Sequence, residues 1–146
     1  MADTGSRDDP YSSFRFKVSI DGIAVAGFSE VGGLTSETDV IEYRNGDETN
    51  TVRKLPGLRK YTNISFKRGY TKSADLWKWR KTVVDGKTER KSGSIVLMDE
   101  AGNDALVWEF AAAWPTKWEG PAMNAKNNEV AIESMEIAVE SLILKE

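Results

Sequence analysis

Phe14-Arg15-Phe16-Lys17-Val18-Ser19-Ile20 alternates apolar and polar side chains without a break, and Asp21-Gly22 follows directly. Successive side chains of a strand point to opposite faces, so a period of two predicts a strand with one face buried. Asp-Gly suits the positive backbone angles of a tight hairpin turn, which makes Ile23 to Ala26 the expected return strand. The chain therefore opens as a β-hairpin. Upstream of it, residues 1–10 (MADTGSRDDP) are expected to form a mobile polar tail that ends at Pro10.

Downstream, Gly27-Phe28-Ser29-Glu30-Val31-Gly32-Gly33-Leu34 is punctuated by glycine, and the Gly32-Gly33 pair permits a bend or bulge. No Lys-Ser/Thr follows the glycines and no helical pattern opens after them, so a structural bend is favoured over a phosphate loop. Thr38 to Tyr43 is rich in β-formers, and Ile64, Phe66 and Tyr70 with Ser65 and Lys67 make a further strand. Between these two, residues 44–60 hold charges, Asn45-Gly46 and Pro56-Gly57 with few apolar anchors, and are expected to be a long extended loop. A loop of that length in a compact domain usually has a role such as binding.

A single helix is expected over about residues 74–85, with Ser73 as N-cap, Asp75 near the positive end of the dipole, and Gly86 just past the end. Leu76, Trp77, Trp79, Val83 and Val84 share one broad face, and Arg80 falls inside it, so Arg80 must snorkel or find a carboxylate. Trp77-Lys78-Trp79-Arg80-Lys81 mixes aromatics with cations as single-strand binders do. Stacking platforms lie on open sheet faces, however, whereas these tryptophans are needed to seat a helix.

Ile95 to Met98 and Ala105 to Ala113 read as two strands joined by the turn-rich Asp99 to Asp104, with Trp108 a core residue between Leu106 and Phe110. Trp114-Pro115 is expected to break the second strand or move it to a sheet edge. Trp114 and Trp118 flank that strand end, which makes either a candidate interface residue. From Glu129 to Leu144 the pattern fits two periods. Met135, Ile137, Val139 and Ile143 alternate with polar residues, while Ile132, Met135, Val139, Leu142 and Ile143 line a helical face. The β-branched content, and a chain that is otherwise mostly β, decide for strand. The sum is a mainly β protein with seven or eight strands and one flanking helix. Its expected form is one domain, residues 1–146, of two packed antiparallel sheets in a β-barrel or sandwich.

Composition narrows the chemistry. The 146 residues suit one domain, and 40 % apolar content is enough for one core. There is no cysteine and no histidine, which removes disulfides, thiolate metal sites, cysteine nucleophiles and the commonest general base. The 23 acidic residues show no spacing that singles out a catalytic pair, and no catalytic motif matches, so no enzyme, cofactor or metal site is expected. No stretch approaches the ~20 apolar residues of a membrane helix, and the N-terminus is polar where a signal peptide would be apolar. Cytosolic synthesis is the expectation. Between Arg53 and Lys91 there are 13 basic residues against 3 acidic, and the rest of the chain holds 7 basic against 20 acidic. That split reads either as a nucleic-acid footprint or as two mutually complementary surfaces on one molecule.

The order and spacing of several short pieces resemble the tail tube family of contractile phage tails and extracellular contractile injection systems. These are Asp9-Pro10-Tyr11 with Phe14-Arg15-Phe16-Lys17-Val18, the Gly27 to Leu34 segment, Lys54-Leu55-Pro56-Gly57, the Trp77 helix, and Glu129-Val130-Ala131-Ile132-Glu133-Ser134. The resemblance runs from about residue 9 to 146. It implies a hexameric ring, stacked head to tail into a hollow tube within a contractile sheath, with a baseplate and tube-terminating proteins at its ends. Effector protein or DNA would pass through the lumen, and the chain would insert into no membrane by itself. It would end in a phage tail or a released extracellular particle, and the close at Leu144-Lys145-Glu146 fits a plain tube subunit. The segment implied to reach neighbouring subunits holds Arg44, Arg53, Lys54, Leu55, Pro56, Gly57, Arg59 and Lys60. Two other readings stand beside this one. They are an OB-like module for single-stranded nucleic acid, with strongly salt-dependent binding, and a baseplate paralogue that initiates the tube.

Overall fold

A computed structural model describes residues 10–11, 15–23, 27–47, 50–70, 72–126 and 130–145. The expected tail at residues 1–9, Phe14, and residues 24–26 of the expected return strand lie outside the described residues. The described chain folds into nine strands and one helix. In order these are β1 (Phe16–Ile20), β2 (Phe28–Gly32), β3 (Ser36–Tyr43), β4 (Arg53–Tyr61), β5 (Ile64–Gly69), α1 (Asp75–Val84), β6 (Lys91–Met98), β7 (Asp104–Glu119), β8 (Ile132–Ala138) and β9 (Ser141–Lys145).

β1 buries Val18 and Ile20 and exposes Lys17 and Ser19, as its alternation requires. The turn after it is tight: Gly22 takes φ 73° and the Ile23 N–H donates to the Ile20 carbonyl at 3.0 Å. On its other side β1 runs antiparallel to β6, with Val18 opposite Ile95. The order β1-β6-β7-β9 makes one four-stranded layer, and β2-β5-β8-β7 makes the other. Val18, Ile20, Ile64, Phe66, Ile95, Phe110, Met135 and Ile137 fill the core, and Leu76 and Trp79 of α1 join them.

β7 belongs to both layers. Over residues 107–111 it pairs with β9 and over residues 114–119 with β8, and the change of sheet falls at Ala112, whose φ of 54° is left-handed. An L-residue in that region costs about 1 kcal/mol or more, a local strain that a sheet corner explains. Of the two outcomes expected at Trp114-Pro115, a break or a sheet edge, the second holds: the strand continues to Glu119, and its second half is the edge of the β2-β5-β8-β7 layer. Pro115 is tolerated because the β7–β8 register slips by a bulge just after it, where its missing N–H is not required. The two-sheet expectation is met. A closed barrel is not found among the described residues, since β1 and β2 end the strand order without pairing with each other.

The C-terminal stretch is β, as expected, but as two strands. β8 pairs with β5 and β7, the chain turns at Val139-Glu140, and β9 returns along the first half of β7. Helix α1 begins with Ala74 at the N-cap rather than Ser73, with no side-chain cap. Its buried stripe is narrower than expected. Leu76, Trp79, Arg80 and Val83 fall at the i, i+3, i+4, i+7 positions that face a core, while Trp77 stands one position aside, exposed, with its ring 5.0 Å from that of Trp118. Arg80 snorkels to a carbonyl rather than a carboxylate, its Nη1 donating to Pro115 O at 3.2 Å.

Gly33, at φ 92°, turns the chain out of β2, and a Cβ there would lie 2.2 Å from the Asn63 carbonyl oxygen. The glycine-punctuated segment is thus a strand, β2, closed by the expected bend at Gly33. Gly33→Ala is expected to cost roughly 1–3 kcal/mol through clash and backbone strain. Urea unfolding should show a lower midpoint at an unchanged m-value, and an unaltered midpoint would mean that the bend relaxes freely.

Candidate assembly surface

The bend at Gly33 launches β3, and β4 returns to Asn63 just before β5. The expected loop at residues 44–60 is therefore corrected: residues 53–60 are a strand, and only residues 44–52 connect it to β3. The sequence signal for a strand is weak here because β4 covers no core. Pro56 sits in it without penalty because a two-stranded ribbon leaves each strand an unpaired edge. Gly57 and Leu58 are absorbed by a bulge between the Thr38–Arg59 and Val40–Pro56 pairs.

β3 and β4 form a sheet of their own and pack chiefly on each other. Among the described residues from 36 to 60 none is buried. Eight residues at about 3.4 Å each give the ribbon a reach of roughly 27 Å. It displays Val40, Ile41, Tyr43, Val52, Leu55 and Leu58, the last 74 % exposed. An isolated two-stranded hairpin is marginal in water, so this ribbon is built to be covered.

Its charges are largely matched across its own strands. Glu37 lies opposite Lys60 and Glu42 opposite Lys54, and Lys60 Nζ approaches Asp39 Oδ1 at 2.9 Å. The hydrogen bond and charge of Asp39 hold the Lys60 ammonium above its ordinary value. A raised lysine contributes below its unfolded value and loses that contribution only as pH climbs through the folded one, so the pair persists at neutral pH. Elsewhere Lys67 meets Glu30, Arg68 meets Glu133, and Arg90 meets Glu140. The basic middle and acidic flanks of the sequence thus meet in good part within one subunit, as strand neighbours, rather than only as opposed outer surfaces.

The residues expected at the interface fall on one ribbon. Arg53, Lys54, Leu55, Pro56, Gly57, Arg59 and Lys60 belong to β4, and Arg44 begins the connection at its far end. The strand expected over Thr38 to Tyr43 is present as β3; what the sequence reading missed is that it pairs with β4 and that Val40, Ile41 and Tyr43 share the uncovered surface. The available signal was adjacent Val40-Ile41 in a charged segment, which puts apolar groups on both faces of a strand and so does not describe a surface strand covering a core. The tryptophan-cation stretch supplies no stacking platform: Trp79 is buried and Trp77 is engaged by Trp118. The described residues hold no group of three or more acidic side chains placed to bind a metal.

Residues 12–143 match the T4-like virus tail tube protein gp19 family. The chain belongs to that family. It is a structural tail tube protein, not an enzyme. A chain of the PVC sheath–tube complex, an extracellular contractile injection system in its extended state, is 28 % identical with a TM-score of 0.84, over 94 % of this chain and 93 % of that one. A chain of the anti-feeding prophage tube-terminating cap is 27 % identical with a TM-score of 0.85, over 99 % of each chain. Hcp1 of Flavobacterium johnsoniae, at 16 % identity and a TM-score of 0.55 over 88 % of this chain and 93 % of that one, shares the fold. No curated protein sequence matches the tail tube protein.

Proposed function

We propose that copies of this tail tube protein form hexameric rings that stack into a hollow tube, the conduit and rod of a contractile apparatus. The sheath, a baseplate and a terminator are its partners, and protein or DNA cargo occupies the lumen. The observation that carries this is the β3–β4 ribbon, which leaves its own subunit and presents apolar side chains that its own subunit does not cover. Arg44, Arg53, Lys54, Leu55, Pro56, Gly57, Arg59 and Lys60 are then assembly residues, together with Val40, Ile41 and Leu58. Similarity to chains from sheath–tube and terminator complexes supports a place in such a particle.

Replacing Leu55 and Leu58 by glutamate tests the reading. Both side chains are exposed, so the folded subunit should change in stability by no more than about 0.5 kcal/mol. Negative-stain microscopy should show rings or tubes for the parent and none for the variant. A variant that melts like the parent and builds full tubes would remove the ribbon from assembly.

A further inference from the structure

Helix α1 has a second face. Leu76, Trp79, Arg80 and Val83 turn inward, which leaves Trp77, Lys81 and Val84 at i, i+4 and i+7 on an outward stripe about 10 Å long. Trp77 is 41 % exposed and Val84 62 %. Lys78 stands beside the stripe, and with Lys81, Thr82, Asp85 and Lys87 it bounds an open recess. Lysines elsewhere are engaged: Lys17 with Asp104, Lys60 with Asp39, Lys67 with Glu30, Lys91 with Glu89 and Lys145 with Glu109. Lys78, Lys81 and Lys87 are exposed and form no ion pair among the described residues. The ring of Trp77 is meanwhile held against Trp118, centroid to centroid 5.0 Å. The helix thus presents unspent cations around an aromatic side chain whose position is already fixed.

We infer that the Trp77–Lys81–Val84 stripe, with Lys78 and Lys87 beside it, is the surface on which an acidic face of the sheath subunit docks, an inference that rests on the tube reading above. A pre-positioned tryptophan loses little freedom on binding and is a favoured anchor, and unpaired lysines around it select a partner by charge. A second copy of the chain is a poor occupant. Its α1 brings like charge, and Glu30, Asp39, Asp104, Glu109, Glu133 and Glu140 are already paired within their own subunit. Every subunit carries the stripe, so its partner must run the length of the tube, which a baseplate or a terminator at one end does not. Cargo must slide past every ring, and a site with an aromatic anchor would arrest it. The sheath runs alongside every ring and must also let go when it contracts. A contact carried by exposed, flexible lysines is screened by salt and held weakly enough to release.

The test is cosedimentation of tubes of the full chain with the purified sheath protein of the same particle, with tube formation scored separately by negative-stain microscopy. Lys78→Glu with Lys81→Glu should melt like the parent and build tubes, yet retain sheath with an affinity lower by about tenfold or more. Lys78→Gln with Lys81→Gln removes the charge without reversing it and should act in the same direction, which keeps the test open if the reversal disturbs the helix. Sheath held by parent tubes should be shed as salt rises toward ~1 M, where charges are screened within about 3 Å. Parent tubes that bind no sheath, or variant tubes that bind it as the parent does, overturn the docking surface and leave the tube reading intact. So does a well-folded variant that no longer builds tubes, because the stripe is then a contact between copies. A labelled single-stranded oligonucleotide that parent tubes bind and variant tubes do not, with sheath binding unchanged, gives the stripe to nucleic acid instead. If the parent forms neither rings nor tubes, the tube reading falls and this inference falls with it.

Discussion

Trp79→Ala is expected to lower the unfolding free energy of the subunit by roughly 3–5 kcal/mol. Trp79 is 2 % exposed and belongs to the core shared by both sheets, and its Nε1 donates to the Glu89 carbonyl at 2.7 Å. Truncation leaves a cavity beneath α1 and an unpaired carbonyl where the chain leaves the helix for β6. For a chain of this size each kcal/mol corresponds to about 2–4 °C, so the melting point should fall by at least ~6 °C. Thermal melts by circular dichroism, at concentrations where the subunit is unassembled, provide the measurement. A melt indistinguishable from the parent would mean that α1 is not seated as described.

The second large effect lies at the Arg68–Glu133 pair. Both side chains are 1 % exposed, Arg68 Nε donates to Glu133 Oε1 at 2.5 Å, and Trp118 Nε1 donates to Glu133 Oε2 at 3.1 Å. The guanidinium also lies over the Phe28 ring, its Cζ 5.8 Å from the centroid. Removing one member of a buried pair strands the other, so Glu133→Ala should cost about 3–5 kcal/mol. Replacing both, Arg68→Met with Glu133→Leu, fills similar volume without charge and should recover most of that loss. A double-mutant cycle measures the coupling. If the double variant is as unstable as Glu133→Ala, the loss comes from packing around Trp118 rather than from a stranded cation.

The sequence displayed its structure best where a strand or helix covers a core. In β1 every second side chain is buried, and in α1 the i, i+3, i+4 spacing of Leu76, Trp79 and Arg80 selects the inner stripe. β5 shows where the same logic stopped short: Ile64, Phe66 and Arg68 all point inward, but an arginine at a core position makes sense only with Glu133, 65 residues away, as its neighbour. That neighbour is a product of sheet topology and is invisible to local pattern. β4 was illegible for the opposite reason. It buries nothing within its own subunit, so it carries no period of two, and Pro56-Gly57 with its charges imitates a loop. Seven of the eight candidate interface residues fall on β4 and Arg44 begins the connection beside it, while the pairing of β4 with β3, which only folding brings about, was not legible.

The corner at Ala112 has a mechanical consequence. In a sandwich of two separate sheets, a pull that shears one layer over the other is opposed by side-chain packing alone. Here β7 runs from one layer into the other as a single covalent backbone, with β9 zipped to its first half and β8 to its second. Sliding the layers apart would therefore mean peeling hydrogen-bonded strands from β7 or stretching its peptide chain. The sixteen residues of β7 act as a tie-bar through the subunit, joining the layer that bears the ribbon to the other by continuous backbone.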